Sequence, residues 1–467
     1  SSFVKTTRID PGTGTVLTRE VLWDPQMDRP TNITWKVGAA TVASYAYQYW
    51  TNSDRIKTLT LMDGSYWSYA YDGRTQLASA RHYKADGSPV EGDAFDASYD
   101  SIGNTTSAGY LMPSLSPSGS FSASDFNLHV VRVWENMVEL AGTVNSTNLV
   151  VSVNNVRGTL DGTRFTCYLP LATTSACELA VNVYAVDNSG PEVVVASASG
   201  SLYLPAETET VTNSYYRSIS GDSRYTYETD VENRITSVTT TAAGTPRRTV
   251  FTYYPDGQRA TKTLMTWGGS DWETNAVHAF AYDGWNPVWE EITTYGGGGS
   301  TVTTRRYTWG LDLAGQRTGQ PGPRAGGIGG LLAIRETIGA TTSTYLPVCD
   351  HNGNIHALID AASGDVVAQY EYSPFGLLRR TGEKAESCPF RFQSKYYDAD
   401  TELYYFGYRY YDPRSTKWLT RDPLWESGGL NMTAFCRNDP VNKIDPLGLA
   451  AYFFGGTHNS LDDAGWS

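Results

Sequence analysis

Apolar and polar positions alternate along most of this chain in short runs, each closed by a turn. Ser68-Tyr69-Ala70-Tyr71 ends at Asp72-Gly73-Arg74, His82-Tyr83 at Asp86-Gly87, and Tyr99-Asp100 at Gly103-Asn104. A period of two marks a strand that buries one face. In each unit the Tyr closes the strand, the Asp accepts hydrogen bonds from turn amides and the Gly takes positive φ. Hairpins repeated in this way over residues 1–104 predict a winding antiparallel sheet. The theme returns in Tyr225-Thr226-Tyr227, in Tyr254-Pro255-Asp256-Gly257, in Tyr282-Asp283-Gly284 and in Tyr370-Glu371-Tyr372, so residues 207–388 are expected to continue the same wall.

Residues 105–206 break the theme. Tyr thins out, and Val138, Leu140, Gly142 and Val144, then Leu149, Val151 and Val153, then Phe165, Cys167 and Leu169, then Leu179, Val181 and Val183 fall on period-two strands separated by Asp161-Gly162 and Asp187-Asn188-Ser189-Gly190. About seven short strands in ~80 residues predict an Ig-like β-sandwich inserted in the wall. The Ser/Pro-rich stretch Pro113 to Ser124 is its linker.

Residues 389–449 differ again. Leu403 to Tyr411 reads as a strand with Tyr404, Phe406, Tyr408 and Tyr410 on one face and Leu403, Tyr405, Arg409 and Tyr411 on the other. Two aromatic faces require cover on both sides, so this segment is expected inside the wall. Two Asp-Pro steps, Asp422-Pro423 and Asp445-Pro446, frame its last third, and the character of the chain changes at Ala450.

Composition agrees with an all-β fold. Aromatic residues make up 13% of the 467, with 32 Tyr and 45 Gly, a mixture of strand formers and turn residues. A net charge of −13 without a polybasic run argues against nucleic-acid binding and against attachment to anionic membranes. No apolar run reaches the ~18 residues that span a bilayer, so no membrane insertion is expected. The opening SSFVKTTRIDPGTG carries no signal-peptide pattern and reads as mid-protein text. The five cysteines, at 167, 177, 349, 388 and 436, are too irregular for a zinc site or a disulfide framework, and only Cys167 and Cys177 are placed for local pairing. His351 and His356, flanked by Asp350 and Asp360, lack a third ligand in register and read as turn residues rather than a metal site. Gly322 to Gly330 lacks the Gly-Lys-Ser/Thr ending of a phosphate loop. No cofactor is expected.

The Tyr-Asp-Gly units, with Phe390 to Pro413, Trp418 to Pro423, Gly429-Leu430-Asn431, Asn438-Asp439-Pro440-Val441-Asn442 and Asp445-Pro446-Leu447-Gly448-Leu449, resemble the RHS repeat-associated core of bacterial toxin carriers and toxin-complex C proteins, with teneurins as animal relatives. The resemblance implies a spiralling antiparallel β-sheet closed into a hollow shell around a C-terminal toxin segment, and a plug at one end. It also implies that two Asp, at positions 422 and 445, cut the chain between Leu449 and Ala450. The implied partners are the chain's own C-terminal segment and secretion or toxin-complex subunits, and the implied location is outside the producing bacterium, in interbacterial competition among other settings.

Local chemistry is compatible. Carboxylate-assisted amide hydrolysis needs one ionised and one protonated carboxyl near a single water. Asp422 and Asp445 are 23 residues apart, enough chain to loop out and return. Arg421 either steadies a carboxylate or oxyanion, or makes an ordinary ion pair. One departure from the family pattern is Trp425, where many members have Gly. The Asp-Pro steps by themselves are equally consistent with capped turns and no catalysis. Beyond the expected cut, residues 450–467 run AAYFFGGTHN and onward, which resembles the opening strand and loop of α/β-hydrolase-type lipase effectors and is too short to be one. The rival readings are a non-catalytic surface or adhesion protein, and a glycan-degrading enzyme, for which no carboxylate pair is singled out.

Overall fold

The computed structural model describes residues 6–449, except 28, 111–126, 135–136, 145, 163, 171–176, 188, 190–192, 205–211, 214–217, 223, 242–244 and 316–324, and beyond them 452–453. The fold is all-β. A nine-stranded sheet runs in chain order from Thr6–Ile9 to Thr105–Tyr110, and a fourteen-stranded sheet from Thr212–Asn213 to Leu378–Thr381. Every strand pairs antiparallel with the next, so each sheet is one long meander.

The Tyr-Asp units show why this sequence winds. Asp72 Oδ1 accepts from the amides of Arg74 and Gln76, Asp100 Oδ1 from Ile102 and Asn104, and Asp230 Oδ1 from Glu232 and Arg234. Each carboxylate thus fixes its own turn. The preceding Tyr reaches sideways. Tyr71 donates its hydroxyl to the Ile56 carbonyl at 2.9 Å, and Ile56 stands opposite Tyr49, the Tyr one unit earlier. Tyr99 does the same to Leu77, opposite Tyr71, and Tyr282 to Arg259, opposite Tyr253. At about 1 kcal/mol net per bond, these hydroxyls pin each hairpin to the one before it.

Between the two sheets, Asn127–Trp134, Met137–Thr143, Arg164–Pro170 and Thr159–Asp161 form one four-stranded sheet. Val156–Arg157, Leu149–Val153, Cys177–Asp187 and Val193–Leu204 form another. They share a separate core of Leu140, Val151, Val153, Phe165, Cys167, Val181 and Val183. Cys167 is a buried free thiol.

Residues 389–449 pack against both large sheets. One continuous hydrophobic core joins Trp35, Tyr45 and Phe95 of the first sheet, Phe251, Phe280 and Tyr345 of the second, and Phe390, Tyr404, Trp418 and Phe435 of the segment. Tyr411 stacks on Phe435 with ring centroids 3.9 Å apart, and Phe406 meets Trp418 edge-on at 5.0 Å. Buried ion pairs anchor the segment to the wall: Asp398 to Arg259 at 2.5 Å and Lys262 at 2.9 Å, and Glu402 to Arg224 at 2.6 Å. The first sheet holds it too, through Asn442 Oδ1 accepting from the Ile56 amide and Asn438 Nδ2 donating to Gln76.

The single strand expected over Leu403 to Tyr411 is instead a hairpin of Leu403–Tyr405 and Tyr410–Asp412. Gly407 takes φ +114°, and the Phe406 amide bonds the Arg409 carbonyl at 3.0 Å across the turn. Only Gly adopts that φ without strain, so the alternation is interrupted there. In the Gly-rich stretch residues 322–324 lie outside the described residues, and the rest packs closely: a Cβ on Gly326, at φ +57°, would stand 2.7 Å from Pro446. No helix among the described residues is long and apolar enough to cross a membrane.

Candidate functional site

The hairpin turn at Gly407 sends Arg409 into the interior, where its guanidinium lies 4.3 Å over the Trp418 ring. Arg409 Nη2 is 2.7 Å from Asp422 Oδ2 and 3.7 Å from Asp445 Oδ2. The two Asp-Pro carboxylates therefore meet across one guanidinium nitrogen. Arg409 Nη1 donates to the Met432 carbonyl at 3.0 Å, and Nε to the Gly448 carbonyl.

The carboxylates sit in different surroundings. Asp445 is fully buried; its Oδ1 accepts from the amides of Gly448 at 2.8 Å, Leu449 at 3.0 Å and Leu447 at 3.4 Å. The terminal Asp-Pro-Leu-Gly-Leu motif is thus a turn wound around its own first side chain. Burial pushes Asp445 up to about 6, with the Asp422 charge adding to the rise and Arg409 opposing it. Asp422 accepts from the Leu424 amide at 2.8 Å. Burial raises it too, against the Arg409 guanidinium. Gly428 leaves room for this carboxylate, since a Cβ there would lie 2.6 Å from Asp422 Oδ2.

Two further buried side chains position the motif. Gln393 accepts the Asp445 amide at 3.0 Å and donates to the Lys443 carbonyl at 3.0 Å. Lys395 Nζ donates to the Pro446 carbonyl at 2.6 Å and the Gly326 carbonyl at 3.2 Å, and burial pulls its pKa down to about 8. Arg409, Asp422, Asp445, Gly428 and Leu449 all line one open cleft of about 500 Å³. Both carboxylates and Leu449 thus border one cleft, Asp445 from its buried side.

Of the residues singled out in the sequence, Asp422, Asp445 and Leu449 come together. Ala450 lies outside the described residues, as do residues 454–467 with their hydrolase-like opening. Arg421 is half-buried and makes no ion pair to either Asp among the described residues. The cation that both carboxylates share is Arg409, which sequence reasoning had placed only as one position on an aromatic strand. Its signal was chemical: a lone Arg between Tyr408 and Tyr410 in a run buried on both faces needs a buried anion. Gln393 and Lys395, polar residues inside PFRFQSKYYD, carried the same signal. Trp425 takes φ +56° and is 65% exposed. Asp350 caps its turn through the amides of Asn352 and Asn354 and lies 3.4 Å from His356 Nε2.

A family model described as Teneurin YD-shell matches residues 329–440. Toxin subunit YenC1 of Yersinia entomophaga is 38% identical over 96 residues, which is 20% of this chain and 10% of that protein. The tRNA3(Ser)-specific nuclease WapA of Bacillus spizizenii is 28% identical over 235 residues, 49% of this chain and 8% of that protein. Among solved structures, the TcdB2-TccC3-Cdc42 crystal structure aligns with 96% of this chain and 21% of its own at 14% identity and a TM-score of 0.41. The matches span about a tenth of the length of these curated relatives. Tyr-Asp hairpins pinned in series, an aromatic segment packed against them and the match over residues 329–440 together support an RHS/YD-shell family for that part of the chain.

Proposed function

We propose that this chain is the closing part of an RHS-type toxin carrier that hydrolyses its own Leu449-Ala450 bond, so that the segment after Leu449 is freed from the covalent shell. The observation that carries this reading is the meeting of Asp422 and Asp445 on Arg409 Nη2, in a cleft that Leu449 also lines. Asp422, 2.7 Å from the guanidinium, is the base and takes a proton from water. The water oxygen bonds to the Leu449 carbonyl carbon while Asp445, the carboxyl held near neutral pH by burial, donates its proton to the carbonyl oxygen. The gem-diol adduct then collapses: its carbon–nitrogen bond breaks, one hydroxyl returns its proton to Asp445 as the Leu449 carboxyl group forms, and the Ala450 nitrogen leaves with the proton that Asp422 took up. Lys395 and Gln393 hold the backbone on either side of Asp445 in place and do not touch the reacting bond.

The cut segment, kept within the shell until delivery, is the carrier's own partner in this reading. Export from a bacterial cell and assembly with toxin-complex subunits complete it, YenC1 being by its printed name a toxin subunit. The test is intact-mass spectrometry of the purified chain. A fragment ending at Leu449 is expected from the wild type, and a single uncut species from Asp422→Asn and from Asp445→Asn. A persistently intact wild type, or cutting that survives both substitutions, refutes the proposal.

A further inference from the structure

A second cavity, of about 130 Å³, lies between the two large sheets and shares no lining residue with the Asp422–Asp445 cleft. The first sheet contributes Trp67, His82 and Asp93 to it, and the second contributes His356, Tyr372 and Arg379. The turn Asp350 to Asn354 closes one end against Val441. Its polar atoms are unevenly matched. His351 Nε2 is 3.1 Å from the Val441 carbonyl, so the hydrogen belongs on that nitrogen and Nδ1 keeps a lone pair. Burial lowers the His351 pKa, which keeps the ring in this neutral form. Asn352 Nδ2 donates to the Pro440 carbonyl at 3.0 Å and the Val441 carbonyl at 2.8 Å, which fixes the amide and leaves Oδ1 as an acceptor.

His351 Nδ1 and Asn352 Oδ1 have no hydrogen-bond partner among the described residues, although these residues are only 7% and 1% exposed. On the opposite wall His82 directs Nδ1 to Asp93 Oδ2 at 2.8 Å, and its Nε2 is likewise without a partner. In the neutral ring that nitrogen is a third acceptor. The lining holds four carboxylates, Asp63, Asp93, Asp350 and Glu371, against the single guanidinium of Arg379. Asp63 and Glu371 are the exposed ones and so mark the mouth. Buried lone pairs, a surplus of negative charge and aromatic walls at Trp67 and Tyr372 all call for one kind of occupant: a compact cation rich in N–H donors.

We propose that this cavity is a binding site for a small primary ammonium ion, whose N–H groups satisfy His351 Nδ1 and Asn352 Oδ1. At about 30 Å³ per non-hydrogen atom the space admits roughly four such atoms, the size range of methylammonium to propylammonium. The site is independent of chain cutting.

The test is thermal denaturation of the full chain in sodium, methylammonium and tetramethylammonium chlorides at equal ionic strength. A saturable rise in Tm is expected with methylammonium alone, because sodium and tetramethylammonium carry no N–H. The rise should vanish in His351→Phe and in Asn352→Leu. Asp63→Asn, which removes the exposed charge while its Oδ1 can still accept from Ser65, should raise the half-saturating concentration by about two- to five-fold. Equal melting in all three salts overturns the proposal. So does a shift that Asp63→Asn leaves untouched, or a crystal grown in methylammonium that shows only water on His351 and Asn352.

Discussion

Replacing Arg409 by Met removes the cation that Asp422 and Asp445 share while keeping most of the side-chain volume over Trp418. Losing one member of a buried ion pair costs about 3–5 kcal/mol when the remaining charge has no escape. Here the carboxylates can escape by taking up protons. Asp445 already stands at about 6, so neutralising it at pH 7 costs only about 1.4 kcal/mol, and this caps its share of the penalty. The carbonyls of Gly448 and Met432 each lose a charged donor, worth about 1 kcal/mol apiece. The expected loss is therefore about 3–4 kcal/mol at pH 7 and about 2 kcal/mol at pH 5, where Asp445 is already largely protonated. Urea denaturation at the two pH values measures it, and intact mass on the same samples reports cutting, which should stop at both. An equal loss at pH 5 and pH 7, or a loss below about 1 kcal/mol, would show that Arg409 is not the shared counter-ion.

Three further outcomes follow from the same region. Trp425→Gly relieves a bulky residue at φ +56° and should stabilise the fold by about 0.5–1 kcal/mol after the entropy that Gly gains in the unfolded chain, read as a higher urea midpoint. Asp445 has a native pKa of about 6, above the ~3.9 of an unfolded Asp, so the native state keeps a proton that the unfolded state has released; stability falls by about 2 kcal/mol from pH 4 to pH 6 on this account, and Asp445→Asn should remove that part of the slope. Gly428→Ala sets a methyl 2.6 Å from Asp422 Oδ2, so it should slow cutting by about 100-fold through misplacement of the carboxylate, with normal kinetics counting against the assigned base.

The wall was legible because its information is local. Alternation, a Tyr at the strand end and Asp in the turn are all set within a few residues, and each Asp does bond the amides of its own turn. The two Asp of the candidate site were singled out by the family resemblance laid over the Asp-Pro steps, which by themselves are equally consistent with capped turns. Arg409 was not, because adjacency along the chain favoured Arg421 while adjacency in space is decided by the Gly407 turn, where alternation stops reporting which way a side chain faces. The lateral reach of each Tyr hydroxyl was invisible for a similar reason: its acceptor lies opposite the Tyr of the preceding hairpin, 15 residues back for Tyr71 and 22 for Tyr99.

Those hydroxyl links make the wall behave as a one-dimensional lattice, in which each hairpin is coupled to its immediate neighbours and to the material packed against it. In such a lattice a break between two units costs one coupling rather than the cooperativity of the whole. The chain leaves the first sheet at Thr105–Tyr110, builds eight strands with a core of their own, and enters the second sheet at Thr212–Asn213, where hairpin pairing starts afresh. Such a junction lets a module with its own core stand between two hairpin series, while residues 389–449 still pack against both of them.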